Sequence, residues 1–203
     1  MMALVILGCY LIGSIPQAWL LAKLVTGQDL RRMGSGNLGV SNTAVSVSRW
    51  AGLFVFVTEA AKGILAVLLV REIGGDELFQ ALGLLAAIVG TRWSIWMKGA
   101  GGRGNTAGIA GLFLIAWPIP VIIIFVWVTM RLILPTSFMA TRISLVLWPL
   151  IFGLVTLVWW YALFGSVLSL IYLQAQQPDT DDHTLINQQW SSVWAFLTSP
   201  RRE

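Results

Sequence analysis

Of the 203 residues in this chain, 57% are hydrophobic and only 11% are charged, and the mean hydropathy is +0.80. A soluble domain carries about 25% charged residues and could not cover so much apolar side chain, so a soluble fold is excluded. The net charge of +4 calls for no nucleic-acid partner, because in a membrane protein excess Lys and Arg mostly sets orientation.

The apolar residues come in blocks. Residues 2–22 carry no charge. No basic segment precedes them, so they read as a retained anchor rather than a cleaved signal. Residues 51–70 are apolar except for Glu59 and Lys62, and 78–91 are uncharged apart from a continuation through Arg92 to Trp96. Residues 105–130 and 143–178 complete the series without a charge. A spanning helix needs about 20 mostly apolar residues, whereas a membrane barrel shows short alternating segments. The expected fold is therefore an all-α polytopic transmembrane helical bundle of about five spans. The fourth block reads as one helix over about 106–130. The last, 36 residues long, reads as one long helix, tilted or broken near Gly165-Ser166; six or seven helical segments are the alternative. Residues 1–178 form the membrane domain. In the tail, 179–203, the spacing of Trp190, Val193, Trp194 and Leu197 makes a stripe suited to lie on the membrane surface.

Loop charge sets the orientation. Residues 23–50 hold Lys23, Arg31, Arg32 and Arg49 against Asp29, and 97–104 hold Lys98 and Arg103 with no acid. The 71–77 loop has one Arg and three acids. The positive-inside rule places the first two in the cytoplasm and the third outside. The two Arg of 131–142 argue against the outside placement that a single fourth span gives them.

Both basic loops are glycine-rich: Gly34-Ser-Gly-Asn-Leu-Gly39 followed by Val-Ser-Asn42, and Gly99-Ala-Gly-Gly-Arg-Gly104. Converging backbone N–H groups bind anions, and Arg103 adds a fork suited to phosphate. The first loop matches a dinucleotide fingerprint but lacks the preceding strand. Glu59 and Lys62, three residues apart in mid-helix, read as a structural ion pair. Cys9 and His183 are the single Cys and His. No metal, disulfide or cofactor is expected from them; His183 reads as solvated and Cys9 as a small core residue.

The run Tyr10-Leu-Ile-Gly-Ser-Ile-Pro16, with Lys23, Gly27, Asp29-Leu-Arg31, Gly34-Ser-Gly-Asn37, Gly39 and Asn42, resembles the bacterial acyl-phosphate:glycerol-3-phosphate acyltransferases. Glu59-x-x-Lys-Gly63 is similar to that family's Asp-x-x-Lys-Gly, and residues 90–108 keep the spacing of its second Gly-rich motif. The resemblance covers about the first 110 residues. It implies transfer of a fatty acyl group from acyl phosphate to the 1-hydroxyl of glycerol 3-phosphate at the plasma membrane. The product is lysophosphatidic acid, and the substrate's own phosphate helps take the proton. It implies catalytic roles for Ser35 and Arg103, and substrate binding by Gly34, Gly36, Asn37, Gly39, Asn42, Gly101, Gly102 and Gly104. Val45 stands where the family has Arg, Thr91 where it has His and Ser94 where it has Pro, and its third motif is not recognisable. Arg92, beside the missing His, is the expected substitute, with Arg49 the other. The departures leave open a catalytically silent member that binds lipid phosphate or acts as a partner subunit. A small transporter, resting on Glu59 and Lys62 alone, ranks last.

Overall fold

A computed structural model describes residues 1–176. The readings of His183 and of the stripe from Trp190 fall outside the described residues. Those described form helices α1 (Met2–Ser14), α2 (Gln17–Thr26), α3 (Val40–Ser46), α4 (Arg49–Glu72), α5 (Glu77–Arg92), α6 (Asn105–Ala116), α7 (Pro118–Ile133), α8 (Ser137–Thr156) and α9 (Trp159–Ala175), with short 3-10 turns at Leu30–Arg32 and Ile95–Met97. Four stretches are long and apolar enough to cross a membrane: Met2–Thr26, Arg49–Glu72, Glu77–Met97 and Ser137–Thr156. α6, α7 and α9 are shorter apolar helices. Large side chains such as Leu4, Phe54, Phe125 and Leu154 face outward, half or more exposed, as a lipid-facing surface requires. The protein is a multi-pass integral membrane protein.

The first block is not one continuous helix. Pro16 has no N–H to donate and its ring disturbs the preceding turn, so α1 stops at Ser14 and α2 starts at Gln17. Freed carbonyls inside a bilayer need donors, and three side chains from elsewhere supply them. Lys62 Nζ donates to Gly13 O at 3.0 Å and to Ile15 O at 2.7 Å. Thr91 Oγ1 reaches Gly13 O at 3.2 Å, and Ser94 Oγ reaches Ser14 O at 2.5 Å. The broken helix is thus tied to α4 and to the end of α5.

Two blocks read from sequence as single helices are each two. The fourth breaks at Trp117, where Pro118 opens α7 in the first-turn position that tolerates it. α6 and α7 fold back on each other, since Asn105 of α6 and Trp127 of α7 line one cavity. A helix of 12 residues, rising about 1.5 Å each, is too short for a full apolar crossing of about 30 Å. The connection 134–136, with Arg131 in the last turn of α7 and Arg142 near the start of α8, consequently lies at the same end of the bundle as the Gly-rich loops. The last block breaks at Leu157, which has φ +56°, and not at Gly165-Ser166, which sits within α9 with Gly165 against the Phe152 ring. The expected bundle is present, and among the described residues it has seven apolar helical segments, within the alternative of six or seven. Inside α8, Pro149 cannot donate to Leu145 O, and Ser169 Oγ of α9 takes that carbonyl at 2.8 Å.

The main core lies between α5 and α9 and includes Leu84, Ile88, Leu112, Phe152, Leu168 and Tyr172. A second core, with Ala22, Leu30, Leu38, Val47 and Val55, seats the first Gly-rich loop against α2 and α4. α4 and α6 cross where a Cβ on Gly63 would strike the Ala107 backbone, the close approach that small residues allow in membranes. Gly63→Val is therefore expected to force the helices apart and to destabilise the protein by about 1–3 kcal/mol or more. Thermal unfolding in detergent reads this directly, and an unchanged midpoint would show that the crossing yields.

Candidate active site

The first Gly-rich loop is built around Asn42, which is fully buried. Its Nδ2 donates to Met33 O at 3.1 Å and Asn37 O at 2.9 Å, and its Oδ1 accepts from Ser35 N at 3.1 Å and Ser46 Oγ at 3.0 Å. Gly34 and Gly36 turn with φ of +51° and +70°. Asp29 fixes the loop's entry: it accepts from Trp19 Nε1 at 3.1 Å and pairs with Arg31 at 2.6 Å. The Arg31 guanidinium holds the Asp29 carboxyl well below the usual carboxylate range, so it remains ionised at neutral pH. The second loop packs under the first. Gly102 N donates to Thr91 O at 2.9 Å, and a Cβ on Gly102 would lie 2.8 Å from Leu38 O.

Between the two loops lies a polar cavity of about 100 Å³. Asn37, Gly39 and Ser41 line it from the first loop, Gly102, Arg103 and Gly104 from the second, and Asn105 and Thr106 from the start of α6. Glu59 and Thr91 complete it from the bundle side. First-turn N–H groups of a helix have no intrahelical partner and carry a partial positive charge, so α6 and Arg103 together make this an anion-attracting pocket. Ser41, Arg103 and Asn105 also line a second, larger cavity of about 290 Å³. It runs on among Ile109, Ile123, Trp127, Leu145 and Trp148, a mostly apolar groove with a cation at its mouth.

The predicted residues thus divide. Asn37, Gly39, Gly102, Arg103 and Gly104 meet at the polar cavity. Ser35, Gly34, Gly36 and Asn42 lie outside both linings, with the Asn42 amide and Ser35 N–H engaged inside the loop. Gly101 packs on the Thr91 and Arg92 carbonyls. Arg92 lies over the Trp93 ring at 5.5 Å, its Nε buried and without a hydrogen-bond partner, and lines neither cavity. Arg49 opens α4 and lines neither.

Sequence reasoning passed over Ser41, Asn105 and Thr106, took Thr91 as the loss of the family's His, and read Glu59 as half of a structural ion pair. A signal existed for Asn105 and Thr106: polar residues directly after a Gly that begins an apolar helix mark a first turn. Glu59 is 6% exposed. Its Oε1 takes Lys62 Nζ at 2.9 Å and Gln17 Nε2 at 2.6 Å, while Oε2 has no hydrogen-bond partner.

The described residues thus form a helical membrane bundle in which the polar cavity shares Ser41, Arg103 and Asn105 with a mostly apolar groove. The family model for glycerol-3-phosphate acyltransferase matches residues 3–179, and the chain belongs to that family. A Moorella thermoacetica protein called glycerol-3-phosphate acyltransferase 2 is 35% identical over 88% of this chain and 91% of its own. A Desulforamulus reducens glycerol-3-phosphate acyltransferase is 35% identical over 80% of this chain and 77% of its own. The match to a Prochlorococcus marinus relative is 35% identical over 59% of this chain, and there the chain covers only 60% of that relative's length. The fold is shared with the crystal structure of PlsY (YgiH) in its glycerol 3-phosphate form, with a TM-score of 0.76 and 22% identity over 92% of this chain and 93% of the other.

Proposed function

We propose that this chain transfers a fatty acyl group from acyl phosphate to the 1-hydroxyl of glycerol 3-phosphate, at the cytoplasmic face of the plasma membrane, for phospholipid synthesis. One observation carries the proposal: Ser41, Arg103 and Asn105 belong to both cavities. A small phosphorylated acceptor in the polar cavity and an acyl chain in the groove therefore meet at these three residues. The names of the relatives support the same acceptor and reaction.

The 1-hydroxyl oxygen attacks the acyl carbonyl carbon, the carbonyl–phosphate C–O bond breaks, and phosphate leaves with the electron pair. The hydroxyl proton passes to phosphate. A mixed anhydride is already activated, so holding the two substrates together and neutralising charge supply most of the acceleration. Arg103 neutralises charge at the junction, and the start of α6 and Asn105 orient the phosphate. Ser35 and Asn42 act through the loop they hold. Thr91, in the place of the family's His, spends its hydroxyl on the Gly13 carbonyl and has no proton-transfer task in this scheme.

Asn105→Ala and Ser41→Ala are each expected to lower kcat/KM about tenfold, the value of roughly one hydrogen bond. Phe125→Ala, on the exposed face of α7, is expected to leave it unchanged. Release of inorganic phosphate from palmitoyl phosphate in the presence of glycerol 3-phosphate measures all three. Full rates in both junction variants would place the reaction elsewhere.

A further inference from the structure

A further groove, of about 550 Å³, shares no lining residue with the polar cavity or with the apolar groove beside it. Ile15, Trp19 and Leu20 line it from the first span and Trp96 from the end of the third. Arg31 and Lys98 line it from the turns that follow those two spans. The apolar wall therefore belongs to the spans and the two cations lie beyond their ends. No acidic residue is among its described lining residues.

The two cations differ. Arg31 is paired with Asp29, which also accepts from the Trp19 indole N–H at 3.1 Å. That network fixes one wall of the groove and is neutral as a unit. Lys98 is exposed, and among the described residues no group pairs with its ammonium. Its backbone is left-handed, with φ +55° and ψ +43°, a conformation that glycine adopts at less cost. A long cationic side chain thus stands where glycine fits more easily. Trp96, two residues earlier, is 61% exposed, and tryptophan favours the membrane–water interface.

This arrangement selects its occupant by charge and depth. An ammonium near the membrane surface attracts anionic lipid. A phosphodiester carries one negative charge and matches the one unpaired ammonium, while the apolar wall accepts the start of an acyl chain. A zwitterionic headgroup brings its own cation to the same place and gains less. We infer that this groove binds an anionic diacyl phospholipid of the surrounding bilayer, with its phosphodiester on Lys98 and an acyl chain along Trp19, Leu20 and Ile15. The lipid bridges the ends of the first and third spans. It is neither acyl donor nor acceptor, and the site stands independently of the reaction proposed above.

The test is native mass spectrometry of the full chain in detergent, titrated with dioleoyl phosphatidylglycerol or dioleoyl phosphatidylcholine. Wild-type protein is expected to bind the anionic lipid about five- to tenfold more tightly, the value of a lysine near a charged membrane surface. In Lys98→Gln the preference is expected to fall to within about twofold. Lys98→Gly is expected to lose it likewise, while its thermal midpoint in detergent stays at or above that of wild type, because glycine relieves the left-handed turn. That variant separates lost lipid from lost fold. Trp96→Ala is expected to weaken both lipids alike, and Arg103→Ala to keep the wild-type preference. A preference that survives in both Lys98 variants is owed to basic surface in general and overturns the inference. Displacement of the bound lipid by equimolar inorganic phosphate, which marks a site for the free ion, overturns it too. So does displacement by equimolar palmitoyl phosphate, which makes the groove part of the reaction site.

Discussion

Lys62→Met is expected to destabilise the protein by about 3–5 kcal/mol, because it leaves the Glu59 carboxylate buried without its cation. The effect has two parts. Lys62 and Glu59 are both about 6% exposed and 2.9 Å apart, so the charge has little access to solvent. The same ammonium also holds the Gly13 and Ile15 carbonyls at the break before Pro16, and Met offers them no donor. The thermal midpoint in detergent, followed by intrinsic tryptophan fluorescence, is expected to fall by well over about 5 °C. Adding Glu59→Gln to Lys62→Met removes the orphaned charge and is expected to restore a large part of the loss, but not the part owed to the two carbonyls. A Lys62→Met protein as stable as wild type would show that the pair does not hold the broken helix. No recovery in the double variant would assign the whole effect to the carbonyls.

Arg103→Ala is expected to lower kcat about 10²–10³-fold, the cost of removing one preorganised group from developing negative charge. Arg103 borders both cavities, so it is the one cationic side chain among the described lining residues of either that can meet acceptor phosphate and acyl phosphate together. Arg103→Lys keeps the charge and gives up the planar fork, and is expected to recover much of the lost rate. The two variants should unfold near the wild-type temperature, which separates this effect from that of Lys62. Turnover of Arg103→Ala within about threefold of wild type would remove Arg103 from the reaction.

What was legible in the sequence depended on how local the cause was. Apolar blocks and loop charges report composition along the chain, and they gave the helical bundle and the two Gly-rich loops that form the cavity. The breaks at Trp117 and Leu157 were not legible from hydropathy, because both flanking segments are apolar. Pro118 was visible but is ambiguous, since proline both begins helices and interrupts them. Leu157 takes a left-handed conformation that no residue preference announces. In the site, Asn37 and Arg103 were singled out because motif residues with donors point to anions, and both line the polar cavity. Asn42 was grouped with them for the same reason, but its donors turn inward to the loop. Glu59 was read as half of an ion pair, and that half is correct. The unpaired Oε2 depends on Gln17 and Lys62 both choosing Oε1, a three-dimensional fact with no trace in spacing. Thr91 and Ser94, which looked like simple losses, take on the carbonyls that Pro16 frees.

The central claim is that the paired cavities carry out acyl transfer. Its most direct measurement is product formation by the purified protein in detergent, supplied with palmitoyl phosphate and labelled glycerol 3-phosphate. The account predicts labelled lysophosphatidic acid and inorganic phosphate in equal amounts, with product formation sharply reduced in Arg103→Ala. No product from folded wild-type protein, under conditions where another member of the family turns over, would contradict it and leave a phosphate-binding protein that has lost catalysis.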